Sequence, residues 1–118
     1  MNKLISQTSI FIFLTLTLIS CSPEQKAKAV ADKFLTHIEK GEFEEASQYA
    51  TNETGQILTM AESFMEEEIR EQKPHENLEC LVEEDGNTAK CTYQAGDETE
   101  TINLIKVDGE WKVHLTKE

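Results

Sequence analysis

The spacing of the apolar residues changes once along this chain, and that change constrains the fold most. Before Pro74 the apolar residues recur with helical period, and after it they alternate with polar ones. Helices followed by strands are typical of α+β domains, in which helices cover one face of an antiparallel sheet. The sequence therefore predicts an α+β fold, with N-terminal helices packed on a four-stranded antiparallel meander.

The first predicted helix begins at Ala27, after a polar connector over 22–26, and stops at Lys40 and Gly41. A short second helix follows, with Tyr49 on its apolar face. The apolar stripe of the first helix repeats at i, i+3 and i+4, which predicts that it faces the sheet. Its members are Ala27, Val30, Ala31, Phe34, Leu35 and Ile38.

The third predicted helix is capped by Asn52 or Thr54 and ends before Pro74. We expect its apolar stripe to be buried, and its carboxylates to form a solvated face rather than a calcium site, since no Gly-bearing calcium loop surrounds them. The expected buried stripe is Ile57, Met60, Ala61, Phe64, Met65 and Ile69, and the carboxylates are Glu62, Glu66, Glu67, Glu68 and Glu71.

Two short strands surround an Asp-Gly turn at 85–86, which is a strong hairpin signal. A loop centred between these two residues pairs positions whose numbers sum to 171, and Cys80 and Cys91 satisfy that sum. The same register places both cysteines on the apolar face of the hairpin. A second Asp-Gly turn at 108–109 joins the last two strands, where Trp111 is predicted to be a core anchor.

The N-terminal segment has the plan of a signal peptide: a basic start at Lys3, an apolar run over 4–19, and a small residue before a cysteine. Leu18-Ile19-Ser20-Cys21 resembles the lipobox of bacterial lipoproteins. That resemblance implies a signal peptide over 1–20, a lipidated Cys21 and a short tether over 21–26, leaving 27–118 as the domain. The alternative is a transmembrane segment, for which this run is short and interrupted by polar residues.

The lipobox also implies a location. The residue after the cysteine is Ser22 and not Asp. In Gram-negative lipoproteins, this resembles the rule for onward sorting to the outer membrane. Disulfides persist in the envelope, so we predict a bond between Cys80 and Cys91, the alternative being two buried free thiols. The net charge is −12, or −13 after Lys3 and the rest of the leader are removed. Nucleic acid is therefore excluded as a partner, because binding it requires clustered cations.

The order of motifs along the mature chain resembles that of small bacterial lipoproteins. They are grouped as a domain of unknown function within the nuclear-transport-factor-2-like, cystatin-like cone superfamily. The motifs are Gly41-Glu42-Phe43-Glu44-Glu45-Ala46, Gly86-Asn87-Thr88-Ala89-Lys90-Cys91 and Asp108-Gly109-Glu110-Trp111-Lys112-Val113. The resemblance implies a curved sheet wrapped around helices, often with a pocket at the open end. It implies no particular chemistry, because this fold hosts enzymes and inert modules alike.

Tyr49 and Tyr93 are the candidate polar residues of such a pocket. The strand alternation places no carboxylate beside them, so we predict no catalytic residue. His37, His75 and His114 are scattered along the sequence and are expected to be surface residues without carboxylate partners. Two cysteines are too few for a zinc site, and we predict no metal and no cofactor.

Two functions remain open at the level of sequence. The first is a membrane-anchored, non-catalytic envelope lipoprotein whose domain binds an unknown protein or small molecule. The second is a pocket enzyme of the isomerase or dehydratase type, which would need a carboxylate and a donor that converge inside the cone.

Overall fold

A computed structural model of the chain describes residues 22–64 and 73–115. Its helices come first and its strands second, which confirms the predicted α+β fold. The elements are α1 (Pro23–Glu39), α2 (Phe43–Ser47), α3 (Asn52–Phe64), β1 (His75–Val82), β2 (Thr88–Ala95), β3 (Glu98–Val107) and β4 (Glu110–Val113). The strands form one antiparallel meander in the order β1-β2-β3-β4.

Helix α1 begins at Pro23, so the predicted polar connector over 22–26 is wrong. Ser22 is the N-cap, and its Oγ accepts a hydrogen bond of 3.2 Å from the backbone N–H of Gln25. Proline is well suited to the first helical turn. Its fixed φ matches a helix, and a backbone N–H at this position would have no partner within the helix. At the other end Gly41 has a φ of 76°, which ends the helix as the sequence predicts.

The hairpin register is confirmed: Cys80 lies opposite Cys91, and Val82 lies opposite Ala89. The structure joins the two cysteines by a disulfide, with their Cα atoms 4.0 Å apart. Both cysteines face the helices and are buried. The disulfide therefore forms part of the core as well as a cross-link between two strands.

Strand β1 starts at His75, three residues earlier than the pattern of Leu78 and Cys80 suggests. The register shifts between Glu76 and Glu79, and Asn77 has a positive φ of 57° within this bulge. A bulge adds one residue to one strand, so a strict alternation ends there. Because of this interruption, the alternation in the sequence does not reveal where the strand begins.

The core lies between one face of the sheet and the stripe of α1. Trp111, Leu104 and Val113 are buried on the sheet side, as expected. Helix α2 contributes Phe43 and Ala46, packed between α1 and α3. The predicted inward faces of both hairpins and of α1 are therefore confirmed.

Helix α3 does not bury the predicted stripe. Met60 is 63% exposed and Phe64 is 82% exposed, whereas Thr54 and Leu58 on the neighbouring face are buried. The reason is that α3 packs mainly on α2, so the face turned inward is set by that contact. Met65, Ile69, Glu66, Glu67, Glu68 and Glu71 lie outside the described residues.

Thr51, rather than Asn52 or Thr54, caps α3. Its Oγ1 accepts from the backbone N–H of Thr54 at 3.3 Å and lies 2.9 Å from Nδ1 of His114. The Oγ1 of Thr54 accepts from the N–H of Leu115 at 2.8 Å. Ala50 forms a parallel bridge with Val113. These contacts fasten the start of α3 to the end of the sheet.

The predicted signal peptide and Cys21 lie outside the described residues. Within 22–64 and 73–115, no helix is both long enough and apolar enough to cross a bilayer.

Candidate functional site

A cavity of about 480 Å³ lies between the sheet and the helical layer, near the C-terminal end of α1. Its walls are mostly apolar and come from α1, α2, α3 and the inner face of β2 and β3. The apolar lining residues are Phe34, Leu35, Ile38, Phe43, Leu58, Ala61, Ala95, Ile102 and Leu115.

Polar side chains line the same cavity beside this apolar surface. They are Glu39 on α1, Lys73 before β1, Tyr93 on β2, and Glu100 and Thr101 on β3. Lys73 extends over Gly96 in the β2–β3 turn, and the lack of a side chain on Gly96 makes room for it. The φ of Gly96 is 65°, a conformation that favours glycine. The cavity therefore combines an apolar interior with groups that can orient a ligand.

Tyr93 lies in this cavity, as predicted, whereas Tyr49 does not. Burial raises the pKa of the Tyr93 phenol, and the nearby carboxylates of Glu100 and Glu39 raise it further. Tyr49 instead stacks on His37, with ring centroids 5.9 Å apart. The structure does not bring these two candidate pocket residues together, because Tyr49 follows α2 and lines a different groove.

Two carboxylates lie near Tyr93, contrary to prediction: Glu100 is its register partner on β3, and Glu39 lines the same cavity. Glu39 comes from the last turn of α1, and the strand alternation gave no means of finding it. Its side chain is 16% exposed, and its Oε2 accepts hydrogen bonds from both the backbone N–H and the Nδ1 of His75, at 2.8 and 2.6 Å. Asp32 Oδ1 lies 2.7 Å from the other ring nitrogen of His75.

His75 is thus held between two carboxylates and is 11% exposed. Desolvation lowers its pKa, but the hydrogen bonds to Glu39 and Asp32 and their negative charges outweigh that effect. The net result is a pKa raised above its ordinary value of 6.5. The ring edge also faces Tyr93, at 6.3 Å between centroids.

Two of the histidines expected to lack carboxylate partners therefore have them. His75 contacts Asp32 and Glu39, and the Nδ1 of His37 lies 2.8 Å from Oε1 of Glu42. The third, His114, contacts Thr51 and not solvent alone. Sequence distance concealed the contacts of His75, since His75 and Asp32 are 43 residues apart, whereas His37 and Glu42 are separated by only five residues.

The described residues contain no group of three His, Cys, Asp or Glu side chains arranged to hold a metal ion. Although Asp32, His75 and Glu39 are close together, the ring nitrogens of His75 point at the two carboxylates. Donors to a metal must converge on one point, whereas these groups face each other. These contacts join α1 to β1.

No protein-family profile and no curated protein matches this chain. Among solved structures, it is similar to a protein from Xanthomonas campestris pv. campestris that is described as a "putative polyketide cyclase". The two share 8% identity over 80% of this chain and 93% of that one, with a TM-score of 0.47. At this degree of similarity we transfer no substrate or reaction to the present chain.

Proposed function

We propose that this chain is a lipid-anchored envelope protein whose α+β domain binds a small, largely apolar molecule without transforming it. The cavity beneath α1 carries this proposal. Its volume of about 480 Å³ falls within the range of about 300 to 1,000 Å³ that is usual for small-molecule sites.

The walls of the cavity indicate the chemistry of the ligand. Phe34, Leu35 and Ile102 offer contact surface to an apolar body, and burying that body gains about 25 cal/mol for each Å² removed from water. Glu39 and Tyr93 can hydrogen-bond to a polar group at one end of the ligand. We therefore expect a molecule with an apolar body and one polar end.

A pocket enzyme is less well supported. Two carboxylates that line the cavity are candidate bases. Glu100, opposite Tyr93 on β3, is solvent-exposed, and the Oε2 of Glu39 already accepts two hydrogen bonds from His75. A general base must be free to take a proton from a bound substrate. The Asp32 and Glu39 contacts of His75 are accounted for by their role in joining α1 to β1.

The anchor is supported by the lipobox over 18–21 and by the signal-peptide plan that precedes it. One acyl chain holds a protein marginally, whereas several make the attachment stable. The likeness to lipoproteins of the nuclear-transport-factor-2-like superfamily supports the combination of an anchor and a pocket. We expect Cys21→Ser to abolish fatty-acid labelling and release the protein from membranes, and labelled, membrane-bound Cys21→Ser would contradict the anchor.

Binding is tested with N-phenyl-1-naphthylamine, an apolar dye whose fluorescence rises when it leaves water. Ala61 lines the cavity and is half-buried, so Ala61→Phe should fill part of it and weaken dye binding by about tenfold or more. The matched control is Ala29→Phe, since Ala29 is an exposed helical alanine outside the cavity. Equal binding by both variants would contradict the proposed site, and no binding by the wild type would contradict the function.

A further inference from the structure

We propose that the polar end of the ligand in the cavity is an uncharged hydroxyl group, so that the site takes an apolar alcohol in preference to a fatty acid or an alkyl amine. The proposal rests on the proposed function, and it names the chemical class of the molecule that the cavity binds. Two features support it: the hydrogen-bonding capacity left on Glu39 and Tyr93, and the charges around them.

Glu39 presents one carboxylate oxygen to a ligand. Its Oε2 accepts hydrogen bonds from the backbone N–H and the Nδ1 of His75, at 2.8 and 2.6 Å. Its Oε1 has no hydrogen-bond partner within residues 22–64 and 73–115. The side chain lines the cavity and is 16% exposed. A carboxylate can only accept hydrogen bonds, so the ligand must supply a donor to this oxygen.

The Tyr93 hydroxyl offers the complementary group. Tyr93 lines the same cavity, and its hydroxyl makes no hydrogen bond to the part of the chain that the structure describes. Burial and the charges of Glu100 and Glu39 raise the pKa of the phenol, so it keeps its proton and can donate to a ligand oxygen. A hydroxyl group can donate to Glu39 and accept from Tyr93, because it carries one proton and two lone pairs.

The charges around Glu39 disfavour a ligand cation. Nδ1 of His75 lies 2.6 Å from Glu39 and Nε2 lies 2.7 Å from Asp32, and only a protonated ring has two N–H donors. Glu39 is therefore already paired with a cation, and an amine in the cavity would meet both His75 and Lys73. Asp32 lies at the other ring nitrogen and is 58% exposed, so water largely screens its charge.

A ligand anion is disfavoured by the carboxylates of the cavity. Glu39 and Glu100 both line it, and Glu39 is the more buried of the two. Like charges repel more strongly where little water screens them, so a carboxylate bound beside Glu39 would lose affinity. Lys73 is the lining cation that a fatty acid could use, but it is solvent-exposed, so its attraction is weakened by water.

The test compares three ligands that share one ten-carbon alkyl chain: decanol, decanoate and decylamine. Each is used to displace N-phenyl-1-naphthylamine from the wild-type protein at about pH 6 and about 0.15 M salt. These conditions keep the acid and the amine charged and screen the net charge of the protein. We expect decanol to bind about tenfold or more tightly than either ion.

Glu39→Gln separates the effect of this carboxylate from the general preference of an apolar cavity for neutral molecules. The amide oxygen can still accept from His75, while the negative charge is gone, so decanoate should bind about tenfold more tightly than to the wild type. Glu42→Gln is the matched control, because Glu42 also contacts a histidine, His37, but does not line the cavity. Tyr93→Phe keeps the ring and should weaken decanol binding by about threefold to tenfold.

The possible failures can be told apart. Tightest binding by decanoate or decylamine would overturn the proposed hydroxyl, as would equal decanoate affinity in Glu39→Gln, Glu42→Gln and the wild type. If Glu39→Gln does not fold, Tyr93→Phe decides, because unchanged decanol binding would also overturn the proposal. A wild-type protein that binds neither the dye nor any of the three ligands would instead overturn the proposed function.

Discussion

The Nδ1 atom of His75 lies 2.6 Å from Oε2 of Glu39, which joins the first residue of the sheet to the last turn of α1. The same oxygen accepts the backbone N–H of His75, so both the ring and the main chain are fixed. The contact positions Glu39 at the wall of the cavity. The side chain of Glu39 therefore both joins α1 to β1 and lines the cavity.

Stability should fall as the pH rises above 6.5, because the pKa of His75 is raised in the folded state from this ordinary value. A raised pKa means that the native state holds the proton more tightly than the unfolded chain does. The stabilisation is therefore complete below 6.5, the ordinary value, and is lost as the pH rises through the folded pKa. Urea unfolding between about pH 6 and about pH 9 measures this loss. A His75→Asn variant with the same pH dependence as the wild type would contradict the assignment.

Reducing the Cys80–Cys91 disulfide should lower the free energy of unfolding by about 3 kcal/mol, because it closes a short loop in the unfolded chain. Urea unfolding of the oxidised protein and of the Cys80→Ser, Cys91→Ser double variant measures the difference. Intact mass before and after reduction must also differ by two hydrogens. If the mass does not change, the cysteines are free thiols in the isolated protein.

The two faces of α3 should respond differently to truncation. Leu58 is 7% exposed, so Leu58→Ala should cost about 2 to 5 kcal/mol through lost burial and a residual cavity. Met60 lies on the exposed face, and Met60→Ala should change stability by less than about 0.5 kcal/mol. Thermal unfolding of both variants decides between this arrangement and the stripe that the sequence suggested. A large loss in Met60→Ala would support the stripe.

Trp111 is 5% exposed, and Trp111→Ala should cost about 3 to 5 kcal/mol. That is a large share of the stability of a domain of this size, which is typically about 5 to 15 kcal/mol. Since Trp111 is the only tryptophan in the chain, circular dichroism must replace its fluorescence as the probe. An unchanged melting temperature would show that the side chain does not anchor the core.

Local patterns predicted the sheet well, because strand pairing across a tight turn involves neighbours in sequence. The Cys80–Cys91 register follows from the position of one Asp-Gly turn, and the inward placement of Trp111 follows from alternation. The same reasoning failed for Met60 on α3. Periodicity shows that a helix has an apolar face, but the packing of α2 decides which residues are buried.

The candidate site could be predicted only in part, since Glu39 and His75 come from distant segments of the chain. Tyr93 was found from its strand, whereas Glu39 and His75 meet across 36 residues and share no local pattern. A bulge at Asn77 also moved the start of β1 away from the regular alternation. Tertiary contacts of this kind leave no periodic signal in one sequence.

The bulge in β1 affects whether neighbouring copies of the domain can pair along this strand. Strand β1 is an outer strand of the sheet, and an open outer strand can pair with its equivalent on a neighbouring molecule. The bend at Asn77, with the charges of Glu76 and Glu79 on either side, makes such pairing unfavourable. An irregular strand edge therefore lets copies of the domain meet at high concentration without pairing into a shared sheet.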